Sequence, residues 1–507
     1  TANGDLVVAA SCDAPPYMLY EVARTCLRRL SSDGTLDTTY GAAGFLLPFS
    51  SSTRSPPAGL FKLPDGRMHL IAVCDWYVLC QAQLFSDGTI DPSYGTAGVR
   101  YTYLVTANGF YSDAYRAATG RAIRLSSGNL AVVSQCHAAI ETSFSRMCVS
   151  RLLSNGALDR SFAGLGWLQL SIPGTLGDEW ADITETPDGG LLVLATCYAS
   201  SVPEGCAIRL DSTGQYVSDF GVAGRARLSG IRSPSAATTS AWNGVERWVV
   251  AGYCGDVNTA PLEPRGGCIA WFSLQTGALE AGMGQGGIAI LPAVDPLVGG
   301  CERAQSVTRW HDGSLFAGAN CPISTANSFQ PQTQLAVGRF LANGSVDVTF
   351  GVNGTRPIRS GGPLADTYPR RLIGEFDASR LLVLSTCSGD NSVASDTSVC
   401  VSRLIVSGGY FDLDRDTSTR ADTDGVLYLR WLLGVRGNAL TTNSTGQYAA
   451  RRMGTEIQSS FEQPPAEFAQ CAANIVGSPT GATATLDGLV LLRAMLSYVD
   501  EALAAGP

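Results

Sequence analysis

The chain has 507 residues, 45% of them hydrophobic and 16% charged, and a formal net charge of −9. That length and composition allow a large core and two or three domains, while the acidic balance argues against a nucleic-acid partner. No apolar run approaches the roughly 18 residues of a membrane-spanning helix, and no leader peptide is read.

The first residues, Ala2-Asn3-Gly4-Asp5-Leu6, fall in register with Pro64-Asp65-Gly66-Arg67-Met68, the middle of a β-hairpin. The first unit is therefore expected to lack its leading strand. The last unit lacks a clear fourth strand. Two completions stay open: the two ends share one closing blade, or a strand from another chain completes it.

Next comes Ser32-Asp33-Gly34-Thr35-Leu36-Asp37-Thr38-Thr39-Tyr40-Gly41-Ala42-Ala43-Gly44, which returns at Ser86–Gly98, Ser154–Phe162 and Ala342–Gly351, more weakly at Ser212–Gly224 and Gln275–Gly287, and as a remnant at Ser407–Tyr410. The turn glycines Gly34, Gly88, Gly156, Gly214, Gly277, Gly344 and Gly408 are spaced 54 to 68 residues apart. A unit of that size cannot bury its apolar faces alone, so neighbours must stack. Each copy follows two alternating apolar runs, such as Leu130-Ala131-Val132-Val133 and Cys148-Val149-Ser150-Arg151-Leu152, which read as strands. Tight turns such as Pro187-Asp188-Gly189-Gly190 join a strand in front, because Gly accepts positive φ and Asp bonds back to the chain. A fourth strand follows, as at Trp167-Leu168-Gln169-Leu170. The reading is mainly β: a seven-bladed β-propeller of four-stranded antiparallel blades over residues 1–410, with a β-solenoid as the alternative.

The recurring pattern R-L-x-x-x-G-x-x-D-x-x-F/Y-G-x-x-G resembles the delta-60-repeat β-propeller family of secreted and surface-associated bacterial proteins. The copies at Ser212 and Gln275 depart from it, the pattern's Asp being replaced near Ser218 in the first and by Glu280 in the second. The resemblance implies a propeller and an extracellular setting, but no uniform activity.

There are 15 cysteines. Repeat register places one at the end of a unit's second strand and one at the start of the third. This predicts Cys12–Cys26, Cys74–Cys80, Cys136–Cys148, Cys197–Cys206, Cys254–Cys268 and Cys387–Cys400, because paired positions across antiparallel strands come within disulfide range. The sixth unit has Ala336 at the second place, so Cys301 is assigned to Cys321. Cys471 remains, as a free thiol or a link to another molecule. Ligands spread one pair per blade cannot converge on zinc. Disulfides imply periplasm, cell surface or medium.

From 411 to 507 the character changes. Asp412, Asp414 and Asp416 alternate before a helix beginning at Val426, and a second helix is expected from Leu486. Alternating acids at a loop before a helix suit a hard cation. The segment resembles a dockerin-like calcium module, which implies Asp412, Asp414, Asp416, the Ser418 carbonyl and Asp424 or Asp422 as ligands for one calcium. Thr417 replaces the turn glycine, and the second loop, Asn474–Ser478, has no acids. A solvated acidic linker is the alternative.

No catalytic constellation is read. His69, His137 and His311 are separate, and no nucleophile elbow or phosphate loop occurs. The repeated acids Asp37, Asp91, Asp159 and Asp347 are expected to make Asx turns, and Tyr40, Tyr94, Phe162, Phe220 and Phe350 to pack between blades. The expectation is a secreted, non-enzymatic binding or structural protein. Its C-terminal module or incomplete first blade would dock a partner or a second copy, in a fibre for example. A glycan-binding propeller is the alternative, and a hydrolase or lyase is less favoured.

Overall fold

A computed structural model describes residues 5–12, 24–32, 34–49, 55–74, 78–104, 120–136, 146–173, 178–198, 203–255, 266–294, 299–310, 312–323, 332–348, 350–351, 353–358, 369–375, 380–388, 397–405, 413, 421–445, 454–455 and 457–458. Alternating apolar residues with β-branched and aromatic side chains form antiparallel strands throughout the first 405 residues.

The chain opens with a hairpin of β1 (Leu6–Cys12) and β2 (Arg24–Leu30). The next sheet holds β3 (Pro57–Lys62), β4 (Met68–Cys74), β5 (Val78–Leu84) and β6 (Val99–Tyr103). Then come β7 (Gly120–Arg124), β8 (Leu130–Cys136), β9 (Arg146–Leu152) and β10 (Trp167–Leu170). The following blade is β11 (Asp178–Glu185), β12 (Leu191–Cys197), β13 (Glu204–Leu210) and β14 (Arg225–Leu228). After it stand β15 (Ile231–Trp242), β16 (Val245–Cys254), β17 (Gly266–Ser273) and β18 (Ile288–Ile290). The next is β19 (Ala304–Arg309), β20 (Leu315–Ile323), β21 (Gln332–Phe340) and β22 (Thr355–Pro357). The last sheet is β23 (Pro369–Glu375), β24 (Arg380–Ser388) and β25 (Thr397–Ile405). Within every sheet the strands follow chain order, the meander of a propeller blade.

The described residues thus form five four-stranded blades and one three-stranded blade, six in all rather than the expected seven. The first repeat is present only as the β1–β2 hairpin, because its outer strand shrinks to a single bridge between Leu27 and Leu46. The hairpin and the β23–β25 sheet are separate sheets among the described residues, not one shared blade.

The first strands of consecutive blades lie against one another, β3 on β7, then β11, β15, β19 and β23. This defines a central axis lined by those strands. The core lies between blades. One apolar cluster joins Val133, Val149 and Phe162 of one blade to Ile183, Val193 and Ile208 of the next. A repeat packed this way buries its faces only against its neighbours.

The turn glycines carry both backbone and packing roles. Gly88, Gly214 and Gly277 have φ of 89°, 86° and 71°. A Cβ on each would stand 2.8, 3.0 and 2.9 Å from the ring of Tyr40, Phe162 and Phe220, the aromatic of the preceding unit. Each aromatic therefore packs under its neighbour's glycine turn, where any side chain would collide.

Four disulfides join Cys74–Cys80, Cys197–Cys206, Cys254–Cys268 and Cys301–Cys321. Cys148 and Cys400 are also disulfide-bonded, and the side chains of Cys136 and Cys387 lie outside the described residues. The expected Cys12–Cys26 bridge is not formed. Its register matches the others, with Ala10 opposite Cys26 and Cys12 opposite Arg24. Instead the Cys26 thiol donates to the Ala10 carbonyl (3.5 Å) and the Cys12 thiol to that of Arg24 (3.6 Å). The hydrogen bond with Cys12 and burial push the Cys26 thiol up. Cys471 lies outside the described residues.

Beyond the blades, a π-helical turn (Ala421–Gly425) runs into α1 (Val426–Leu432), followed by a short α2 (Asn438–Thr441). Leu413, Leu427, Tyr428, Leu440 and Ile457 form their own small core. No helix among the described residues is long and apolar enough to cross a membrane.

Candidate functional site

The repeated acids act as the sequence suggests, and they do one thing more. Asp37 Oδ1 accepts the Thr39 amide (2.8 Å), Asp91 Oδ1 that of Ser93 (2.9 Å) and Asp159 Oδ1 that of Ser161 (3.0 Å), each closing an Asx turn. The Thr39 hydroxyl and amide, and then Arg29, hold the Asp37 carboxyl down at about 2. The other oxygen binds the arginine of the same repeat. Arg151 Nε lies 2.8 Å from Asp159 Oδ2, Arg339 Nη1 lies 3.3 Å from Asp347 Oδ2, and Arg29 pairs with Asp37. The departures keep the pairing by other means. Glu280 takes Arg247 at 3.3 Å, and Arg209 turns to Asp188 at 2.7 Å.

These arginines also cross to the next unit. Arg29 Nη1 donates to the Ser86 carbonyl (2.7 Å) and Arg209 Nη1 to that of Leu274 (2.7 Å), while Arg151 does the same to Ser212. Arg403, in the last sheet, donates to Ser32, in the first. The same tie that joins successive units thus joins the last to the first and closes the ring.

His69 is the one described histidine of the three expected. It is buried, with Nε2 3.2 Å from Gln81 Oε1 and 3.0 Å from the Tyr94 hydroxyl. Gln81 Nε2 donates on to Thr102 (3.0 Å) and to the Gly156 carbonyl of the next blade (2.9 Å). Burial pulls the imidazole down to about 4, so it is neutral at ordinary pH and serves as another inter-blade tie. His137 and His311 lie outside the described residues.

Of the expected calcium ligands, Asp412, Asp414, Asp416 and Ser418 lie outside the described residues, as does the side chain of Asp422. Asp424 is fully buried, and its Oδ1 accepts the Leu413 amide at 2.6 Å while the Thr423 hydroxyl donates to Oδ2 at 3.0 Å. It therefore tethers the incoming chain to the start of α1.

A different set of charges gathers on the axis, and the repeat reading does not find it. On each first strand, one residue stands opposite the position three before that blade's second-strand cysteine. These residues are Gly59, Arg121, Asp182, Ala236, Ser306 and Arg371, opposite Ile71, Val133, Leu194, Ala251, Gly318 and Leu384. In β3, β11, β15, β19 and β23 the register shifts just before this residue, and such bulges re-aim side chains. The six form one layer around the channel.

Asp182 is buried in that layer. Its Oδ2 accepts the Ala237 amide of the next blade and its Oδ1 the Ile183 amide, both at 2.9 Å. Ser306 repeats the device, its hydroxyl accepting the Leu372 amide at 2.8 Å. Arg121 Nε lies 3.2 Å from Asp182 Oδ1, off the line of a hydrogen bond. Arg371 is half-buried, and desolvation first, then the charge of Arg121, pulls its guanidinium down to about 10 against the favourable charge of Asp182.

A second concavity, of about 950 Å³, opens where the β11–β14 and β15–β18 blades meet the next repeat turn. Glu204, Arg227, Arg232, Gln285 and Ser345 are among its polar lining and Ile288 among its apolar one, with Arg227 paired to Glu204 at 2.9 Å.

Together, the chain-order meanders, the first strands on one axis and the last-to-first tie define a β-propeller. No known family model matches the sequence, and no curated protein matches it. Solved structures similar to it include a Bacteroides caccae protein of unknown function, 13% identical, with a TM-score of 0.35, covering 70% of this chain and 98% of its own. Another is an α-L-arabinofuranosidase of Fusarium graminearum, 11% identical, with a TM-score of 0.39, covering 68% and 91%. A third is Drosophila Semaphorin 1b, extracellular domains 1–2, 10% identical, with a TM-score of 0.35, covering 79% and 86%. At these values the fold rests on the chain's own sheets.

Proposed function

We propose that the protein is a secreted or cell-surface binding scaffold and not an enzyme. The observation that carries this is the fate of the repeat's charged side chains. Arg29, Arg151 and Arg209 pair with Asp37, Asp159 and Asp188 within a unit, and these arginines and Arg403 cross to another unit. They make a rigid ring whose loops and clefts are left for recognition. Its disulfides suit an oxidising compartment, in keeping with the resemblance to the delta-60-repeat propellers. The C-terminal segment is a docking module in this reading. Calcium is held by Asp412, Asp414, Asp416, the Ser418 carbonyl and Asp422 or Asp424, and the module attaches the ring to a partner or a second copy.

The cleft between blades favours a second reading within the binding class, a glycan ligand. Its mixed polar and apolar lining and its size suit a few sugar units. Light scattering of the full chain with calcium and with chelator, beside a glycan array and a reducing-end assay on the same glycans, tests both. The expected result is a calcium-dependent assembly or array binding without release of reducing ends. Release of reducing ends would overturn the scaffold reading. A monomer in both conditions with a blank array would do the same.

A further inference from the structure

We propose that Cys12 and Cys26 are a redox-active pair, a reversible latch that pins β1 to β2 at the seam of the ring. Among the described residues they are the two cysteines that stand as thiols. Yet their register is that of the bridged hairpins. Ala10 lies opposite Cys26, as Ala72 lies opposite Cys80, Ala195 opposite Cys206 and Gly252 opposite Cys268, and in each case the partner cysteine stands two residues further along. In the three bonded hairpins the Cα atoms are 5.7 to 6.0 Å apart. Closing Cys12–Cys26 therefore needs rotation of two side chains and no shift of the strands. Each thiol already reaches across to a carbonyl of the opposite strand, Cys12 to Arg24 (3.6 Å) and Cys26 to Ala10 (3.5 Å).

Access sets this pair apart. The cysteines of the four described bridges are at most 2% exposed, whereas Cys26 is 7% exposed and Cys12 is half-buried. The cause is the incomplete first unit. β4 and β12 each lie between two strands and are buried at every residue. Among the described residues β1 pairs with β2 alone, and no residue of it is buried. Thiol–disulfide exchange needs a reagent to reach sulfur, so Cys12 is the entry point. Its thiolate attacks one sulfur of a small disulfide such as oxidised glutathione, breaking that S–S bond and releasing one small thiol. The Cys26 thiolate then attacks the Cys12 sulfur and releases the second. The protein loses two electrons and two protons, and the small disulfide becomes two thiols; a small thiol reverses both steps. β2 leads into the Ser32 turn, whose carbonyl accepts from Arg403, so the latch stiffens the unit on which the ring closes.

The test equilibrates the full chain across ratios of reduced to oxidised glutathione, then applies acid quench, alkylation and peptide mass spectrometry. Cys254–Cys268 is the internal reference, with the same register and the same separation of 14 residues. Cys12 and Cys26 are expected to pass from alkylated to joined across the series while the reference stays joined. Their bond should be reduced at least about 10-fold faster than the reference, because access of the attacking thiol limits exchange. Amide hydrogen exchange over Leu6–Cys12 should slow by about 10-fold or more on oxidation, as the cross-link restrains local opening of the hairpin. Cys12→Ala/Cys26→Ala should abolish that dependence and leave exchange in β16 and β17 unchanged. The proposal is overturned if the pair stays as thiols at the most oxidising ratio, if it resists reduction as the reference does, if either cysteine joins a different one, or if exchange in β1 ignores the change of state. All four outcomes are read on the wild-type chain, so they decide even should the double variant not fold.

Discussion

Arg339→Ala is expected to destabilise the propeller by about 3–5 kcal/mol, the cost of breaking a buried ion pair from one side. Arg339 is a fully buried arginine in β21. Its Nη2 lies 2.9 Å from Asp312, its Nη1 lies 3.3 Å from Asp347, and its guanidinium stands over the Phe316 ring at 5.5 Å. Truncation leaves the buried Asp347 carboxylate without its counter-charge and opens a cavity beside Phe316. Asp312→Asn/Asp347→Asn introduced into Arg339→Met should recover most of the loss, because replacing the whole pair is far cheaper than breaking it. Denaturant midpoints for the three proteins check this. A loss under about 0.5 kcal/mol, the range of an ordinary surface substitution, would show the pair to be incidental.

The disulfides should rank by the loop each closes. Cys301–Cys321 spans 20 residues and Cys74–Cys80 spans 6. Restriction of the unfolded chain gives about 3.3 kcal/mol for the first and about 2.2 for the second. All four sulfurs are buried in the apolar clusters between units, so Cys→Ala pairs are the suitable variants, avoiding a buried hydroxyl. Cys301→Ala/Cys321→Ala should cost more than Cys74→Ala/Cys80→Ala, read as denaturant midpoints under non-reducing conditions. The reverse order would mean that native-state packing at each bridge, and not loop closure, sets its contribution.

Much of this architecture was legible because its determinants repeat in kind. The glycine turns, the Asx acids, the aromatic under each turn and the cysteine pairs stand at fixed offsets, so seven copies in one chain reinforce each other. The blade count was overstated because a repeat copy counts turns, not strands. The first copy has its Asp37 turn and Tyr40, but only two paired strands. The unformed Cys12–Cys26 bridge has the register of its fellows, so spacing could not distinguish it. The arginine of the R-L pattern was visible, but its carboxylate partner lies eight residues on in the fold of the turn, and its second partner lies in another unit. The channel layer was hidden for the opposite reason. Its positions repeat while its residues do not, running Gly59, Arg121, Asp182, Ala236, Ser306 and Arg371, so no motif emerges. Only strand register assembles them.

The central claim is a closed ring, and the contact that closes it is the Arg403 guanidinium on the Ser32 carbonyl. An experimentally phased structure of the full chain tests this most directly. The account predicts the β23–β25 sheet beside the β1–β2 hairpin, with Arg403 reaching Ser32 as Arg29 reaches Ser86. A chain whose last sheet stands remote from its first, as in an open solenoid, would contradict it.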